Sequence, residues 1–252
     1  MDLIADRGRR VQVADLNTTK LMAHADRQRR EKKFDDVLIV DVDAHHYENE
    51  SLGEILPFME NEVLKQLVLS KRLKSNGASN VMPQGFGYQD MGGRVTRYPL
   101  RSSEKHDPKG PHRDVQLGHR WMDAMGIDYA CLFPTGFLAI GTHPSLEMEI
   151  ELCWAYSRWI TEKAIPESGG RFYTMLSLPF SDPEAALRHV ETFGDRKGVG
   201  GFMITSVRPK MGVYDNAYMK VYRAIEERGL VDRKSTRLNS SHIPLSRMPS
   251  SA

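Results

Sequence analysis

From Val115 to Val231 the sequence alternates amphipathic stretches with short apolar runs, and this alternation limits the fold more than any other feature. Val115–Met125 has helical spacing and ends at Gly126, suited to the left-handed turn that closes a helix. Ile127–Phe133 follows as a predicted buried strand, closed by Pro134-Thr135-Gly136. Pro144–Ile165 reads as a long helix broken at Pro166–Gly170, and Arg171–Leu178 as a strand stopped at Pro179. Ser181 or Asp182 can cap the next helix, with Pro183 in its first turn. Val199–Thr205 is another predicted strand, Asn216–Arg228 a helix stopped at Gly229, and Leu230-Val231 the start of a further strand. Strands alternating with helices pair in parallel through right-handed crossovers, so the chain reads as α/β. With the strand that precedes this region it makes four units and begins a fifth. That is a partial TIM-like (β/α)8 barrel, its closure incomplete because closure needs eight.

The preceding strand carries the chemistry. Val37-Leu38-Ile39-Val40 is an unbroken apolar run, the pattern of a strand buried on both faces, and it leads into Asp41-Val42-Asp43-Ala44-His45-His46-Tyr47-Glu48. Side chains two apart on a strand share a face, so Asp43 and His45 project together at the C-terminal end. Ligands collect at that end in α/β folds. A carboxylate oxygen beside an imidazole nitrogen makes half of a divalent-metal site. His46 is expected on the opposite face, in a structural role. Glu48 reads either as a partner that orients His45 or as the first residue of a solvated loop.

Ser51–Leu73 is mostly helical in pattern, kinked or split at Pro57. Residues 75–114, rich in Gly, Pro, Asn and charge, form a long connection of the functional or mobile kind. It holds His106 and His112, with His119 just beyond, and no regular spacing joins the three. Residues 1–36 are a polar N-terminal segment whose basic run, Arg27–Lys33, reads as a solvated helix or arm. A formal charge of +2 and the lack of a second basic face with aromatics argue against a nucleic-acid partner. No apolar run is long enough to span a bilayer, and Met1–Arg10 has no signal-peptide core, so the expected location is cytoplasmic with no membrane partner. Cys131 and Cys153 sit in apolar contexts and are expected as buried thiols, not a disulfide.

Several stretches, in order, resemble one family. Val40–Glu48 is similar to the first-strand metal motif of the amidohydrolase-related proteins (amidohydrolase 2), the metal-dependent enzymes that include aminocarboxymuconate-semialdehyde and resorcylate decarboxylases. Arg120–Thr135, with Met122-Asp123-Ala124-Met125-Gly126-Ile127-Asp128 at its core, resembles that family's signature helix and second strand. Arg171-Phe172, Leu178–Pro183, Gly200-Gly201-Phe202-Met203 and Tyr214-Asp215-Asn216 follow in the same order. The resemblance covers residues 37–231. It implies a barrel domain over that span, with Asp43 and His45 as the first-strand metal ligands. It also implies a divalent metal, zinc first and manganese allowed, with two later ligands, a His ending strand five and an Asp ending strand eight, and with that Asp or a neighbouring His handling protons in catalysis. Neither of those two is in this sequence, so the catalytic residues stay unassigned. The implied activity is hydrolysis or decarboxylation of a small organic carboxylate, with a homo-oligomeric parent protein allowed. The alternative is a non-catalytic binding or scaffold domain derived from the family. A small nucleotide-binding protein is disfavoured because no glycine follows the first strand between Asp43 and Glu48.

After Val231 the text changes character. Asp232–His242 matches, in frame, the translation of a widely used sequencing adapter, and Ile243–Ala252 reads as its continuation. Residues 232–252 are therefore expected to be a non-native tail fused to a truncated and inactive copy, and His242 is not promoted to a ligand. An incomplete barrel would leave open sheet edges and unburied apolar faces, so the chain is expected to be prone to aggregation.

Overall fold

The structure, a computed structural model, describes residues 18–46, 48–70, 105–205 and 212–235. Expectations for residues 1–17, Tyr47, 71–104, 206–211 and 236–252, His242 among them, lie outside the described residues. The chain divides into two compact units.

The first unit contains described residues 18–40 and 105–129. The basic run lies on helix α1 (Thr18–Glu31), where Asp26 pairs with Arg29 at 2.8 Å and also with Arg30. Helix α4 (Arg113–Met125) begins two residues before Val115, because His112 Nδ1 accepts from Asp114 N–H and caps it. It ends at Gly126 with φ of 74°, and a Cβ there would meet the Arg29 side chain at 3.0 Å.

Among the described residues the second unit contains the helices other than α1 and α4 and, apart from Val40 and Tyr129, a five-stranded sheet in the order β1-β2-β3-β4-β5. Its strands are β1 (Val40–His46), β2 (Tyr129–Pro134), β3 (Phe172–Ser177), β4 (Val199–Thr205) and β5 (Val231–Ser235). β2–β3, β3–β4 and β4–β5 pair in parallel. Sequence-ordered parallel strands with helices between them are the partial barrel that the alternation predicts.

Two details differ from expectation. The apolar run at Val37–Val40 is not a strand buried on both faces: β1 starts at Val40, while Val37, Leu38, Val40 and Val42 are 56, 72, 46 and 64% exposed. β1 is a margin strand with β2 on one side only among the described residues, in keeping with the exposure of those valines. At the other margin, β5 runs past Val231 to Ser235, pairing Phe202 with Asp232 and Thr205 with Ser235. Ladder bonds are made by backbone groups, so an extended segment can join an edge whatever its side chains. β4 approaches β5 so closely that a Cβ at Gly201 would lie 2.0 Å from the Val231 carbonyl oxygen.

The segment after β1 is split at Pro57 as expected, into α2 (Leu52–Ile55) and α3 (Glu62–Ser70). The long helix is α5 (Leu146–Trp159), continued by a π-turn (Ile160–Ala164) and a short α6 (Ile165–Glu167). The widened turn precedes Pro166, whose ring would crowd the Glu162 carbonyl in a regular helix, and the Thr161 hydroxyl donates to Ser157 O at 2.6 Å. Helix α7 (Pro183–Phe193) starts where predicted, with the Asp182 carboxylate accepting from Glu184 N and Ala185 N. Helix α8 (Met219–Glu227) follows a short 3₁₀ turn. Neither cysteine is in a disulfide; Cys153 on α5 is fully buried, and burial pushes its thiol well above the ordinary range.

Between α5 and α7, His189 is enclosed by Trp154, Phe193 and Phe202, and its Nε2 shares a 2.8 Å hydrogen bond with Ser157 Oγ. Burial pulls its pKa down from 6.5 to about 3, and the Arg188 cation acts in the same direction. The unfolded ring takes a proton below about 6.5, and the folded ring does not until about 3. This contribution to stability is complete above pH 6.5 and is lost as pH falls from 6.5 toward 3. Between pH 7 and pH 5 the chain is expected to lose about 2 kcal/mol more than its His189→Gln variant, read by urea unfolding. Equal losses would show that the ring is not held neutral. The exposed valines of β1 give a second expectation: Val42, 64% exposed, changed to Lys (Val42→Lys) should raise the soluble, monomeric share several-fold in sedimentation, and an unchanged share would show that β1 does not drive association.

Candidate functional site

Asp43 and His45 lie two apart near the C-terminal end of β1, and both are half-buried. Asp41, a further step back, turns its carboxylate to the backbone, where Oδ1 accepts from Asp43 N at 3.0 Å. The His45 ring is held at Nδ1 by the Thr135 hydroxyl, 2.9 Å away. Thr135 follows β2 directly and is 1% exposed. Its backbone N–H donates to His46 O at 2.9 Å, so one residue grips the tip of β1 twice.

The other two residues singled out around the tip are structural supports. His46 is buried, shares a 3.1 Å hydrogen bond between its Nδ1 and the Tyr156 hydroxyl, and stacks on Trp159 with the planes 7° apart. That is the structural role expected of it. Glu48 is fully buried, which excludes the solvated-loop reading. Its Oε1 accepts from Phe137 N at 2.9 Å, in the turn that Thr135 opens. It therefore helps to fix the segment that carries the Thr135 hydroxyl.

The donor types at Asp43 and His45, a hard carboxylate and a borderline imidazole, suit a divalent cation, and a hydroxyl on the far ring nitrogen is the kind of support metal-bound histidines have. Among the described residues no group of three or more His, Cys, Asp and Glu could hold a metal ion. His106 is exposed, His112 caps α4 and His119 is half-buried on that helix; none joins such a group. Sequence reasoning missed Thr135. Its signal was its place, a small hydroxyl residue just beyond the strand next to β1. No helix among the described residues is long and apolar enough to cross a membrane.

No protein-family model matches the chain, and no curated protein matches it. Solved structures do. One is 5-carboxyvanillate decarboxylase from Novosphingobium aromaticivorans with bound manganese and 3-methoxy-4-hydroxy-5-nitrobenzoic acid, a mutant form; its TM-score is 0.51 at 19% identity, over 77% of this chain and 49% of that one. Another is the same decarboxylase complexed with manganese and 4-hydroxy-3-methoxy-5-nitrobenzoic acid, with TM-score 0.51, 20% identity and the same coverages. The chain thus spans about half the length of the solved structures it matches. Identities this low show a shared fold: an α/β architecture of parallel strands and flanking helices, part of a TIM-like barrel.

Proposed function

We propose that Asp43 and His45 are two ligands of a divalent cation in a metal-dependent carboxy-lyase that removes CO₂ from a small aromatic acid. What supports this reading is the His45 ring, two residues from a carboxylate at the end of a barrel strand and anchored through Nδ1 by Thr135. The fold shared with a manganese-containing decarboxylase of a carboxylated phenol favours decarboxylation over hydrolysis and brings manganese level with zinc. A bound cation would polarise a substrate oxygen or acidify a water molecule. The chain's own part is to hold that cation by one oxygen and one nitrogen. Asp41 and Thr135 keep the strand tip and ring in place.

Two ligands do not complete a coordination shell. We infer that the native gene continues after Val231 and supplies the rest, because Asp232–His242 matches adapter translation. Residues 37–231 are then the N-terminal part of the barrel domain, and this copy is inactive. The second reading is a non-catalytic scaffold derived from the same fold.

Recovering the uninterrupted gene from source material separates the readings. Its product is expected to carry a His soon after Val231, to bind about one zinc or manganese ion per active site, and to release CO₂ from a carboxylated phenol. Asp43→Ala and His45→Ala should each lower metal content at least tenfold and abolish CO₂ release. Unchanged metal in both variants would remove the site assignment, and a gene running natively through Asp232 to Ala252 would remove the truncation.

A further inference from the structure

We propose that α7 is an acid-opened strap: with His189 as the trigger, it lifts off α5 between two fixed ends while the sheet beneath stays paired. The face α7 turns inward is Ala186, His189, Val190 and Phe193, all fully buried. Three elements enclose the His189 ring: α5 with Trp154 and Ser157, β4 with Phe202, and α7 itself with Phe193. None of these four side chains ionises. The charge that acts on the ring is the Arg188 cation, its neighbour on α7. Nε2 is bonded to Ser157, and Nδ1 has no hydrogen-bond partner among the described residues. A second proton would leave a buried imidazolium with one N–H unsatisfied, beside a cation and with no carboxylate among the groups that act on it. The docked ring therefore stays neutral, and the proton goes on once the ring reaches water.

Helix α7 is the element placed to yield. Ser181 N–H, just before it, donates to Glu149 Oε1 of α5 at 3.1 Å. Arg196, just after it, donates to the Thr161 hydroxyl at 2.8 Å. Between those ends α7 is held by its apolar face, by the Ser157–His189 bond and by Arg188, which lies 4.2 Å over Trp154 and pairs with Glu60 at 2.9 Å. The Arg188–Glu60 pair is exposed on both sides and adds little. β3 and β4 are joined by their own backbone ladder, which a lifted α7 leaves intact. Opening the strap alone brings the ring to water and uncovers Trp154 and Phe202, so it costs less than unfolding the sheet. A ring that takes its proton near pH 6.5 outside and about 3 inside makes any opening that exposes it about 25-fold more frequent at pH 5 than at pH 7.

The test is amide hydrogen exchange of the soluble full chain at pH 7 and pH 5, corrected for intrinsic rates, with and without a low concentration of urea. Amides of α7 are expected to exchange through an opening insensitive to that urea, at least about tenfold faster than amides of β3 and β4. Acidification should speed them about 25-fold in the wild type and less than about threefold in His189→Gln. If α7 exchanges no faster than β3 and β4, the helix opens only with the whole sheet and the proposal is overturned. The same acceleration in His189→Gln, or none in the wild type, would overturn it as well. Should His189→Gln fail to fold, the wild-type contrast between α7 and the two strands, together with its pH dependence, decides alone.

Discussion

The tie between the end of β2 and the tip of β1 is the constraint on which the site depends. β1 has a paired neighbour on one side only among the described residues, so its C-terminal end takes its position from β2. Thr135 supplies that position through two groups at once, an amide on the His46 carbonyl and a hydroxyl on the His45 ring. Each bond alone is worth about 1 kcal/mol. Their value lies in direction: they set the angle at which an imidazole leaves a strand that is otherwise half exposed.

Behind that tie stands one helix with two duties. Tyr156 and Trp159 of α5 receive His46 and back the tip of β1. Trp154 and Ser157 of the same helix face α7 and close over His189. The packing that shelters a neutral histidine and the packing that steadies the candidate site therefore share a single rigid element. Disturbance of one should be felt at the other.

Much of this architecture was readable in the chain, because it was written in local chemistry. Val199–Thr205 is a strand as read, Asp182 and Pro183 open α7 as read, and Gly126 closes α4 in the left-handed region as read. Each of these depends on residues a few positions apart. What escaped depends on distance along the chain. The partner of His45 is 90 residues away, and no spacing rule reaches that far. The exposure of Val40 and Val42 escaped for a related reason: an apolar run records what a strand can bury, while the elements beside it decide what it does bury. Asp232–Ser235 shows the converse, a segment without strand-like patterning that pairs through its backbone.

The glycine at 201 has a consequence for how the sheet is assembled. With a Cβ there 2.0 Å from the Val231 carbonyl oxygen, the fourth strand can accept a fifth only while that position stays bare. A single added methyl would act as a wedge between them, on the side of the sheet remote from Asp43 and His45. The molecule therefore has a seam whose opening need not disturb the corner where its chemistry would lie, so the two margins can be taken apart one at a time.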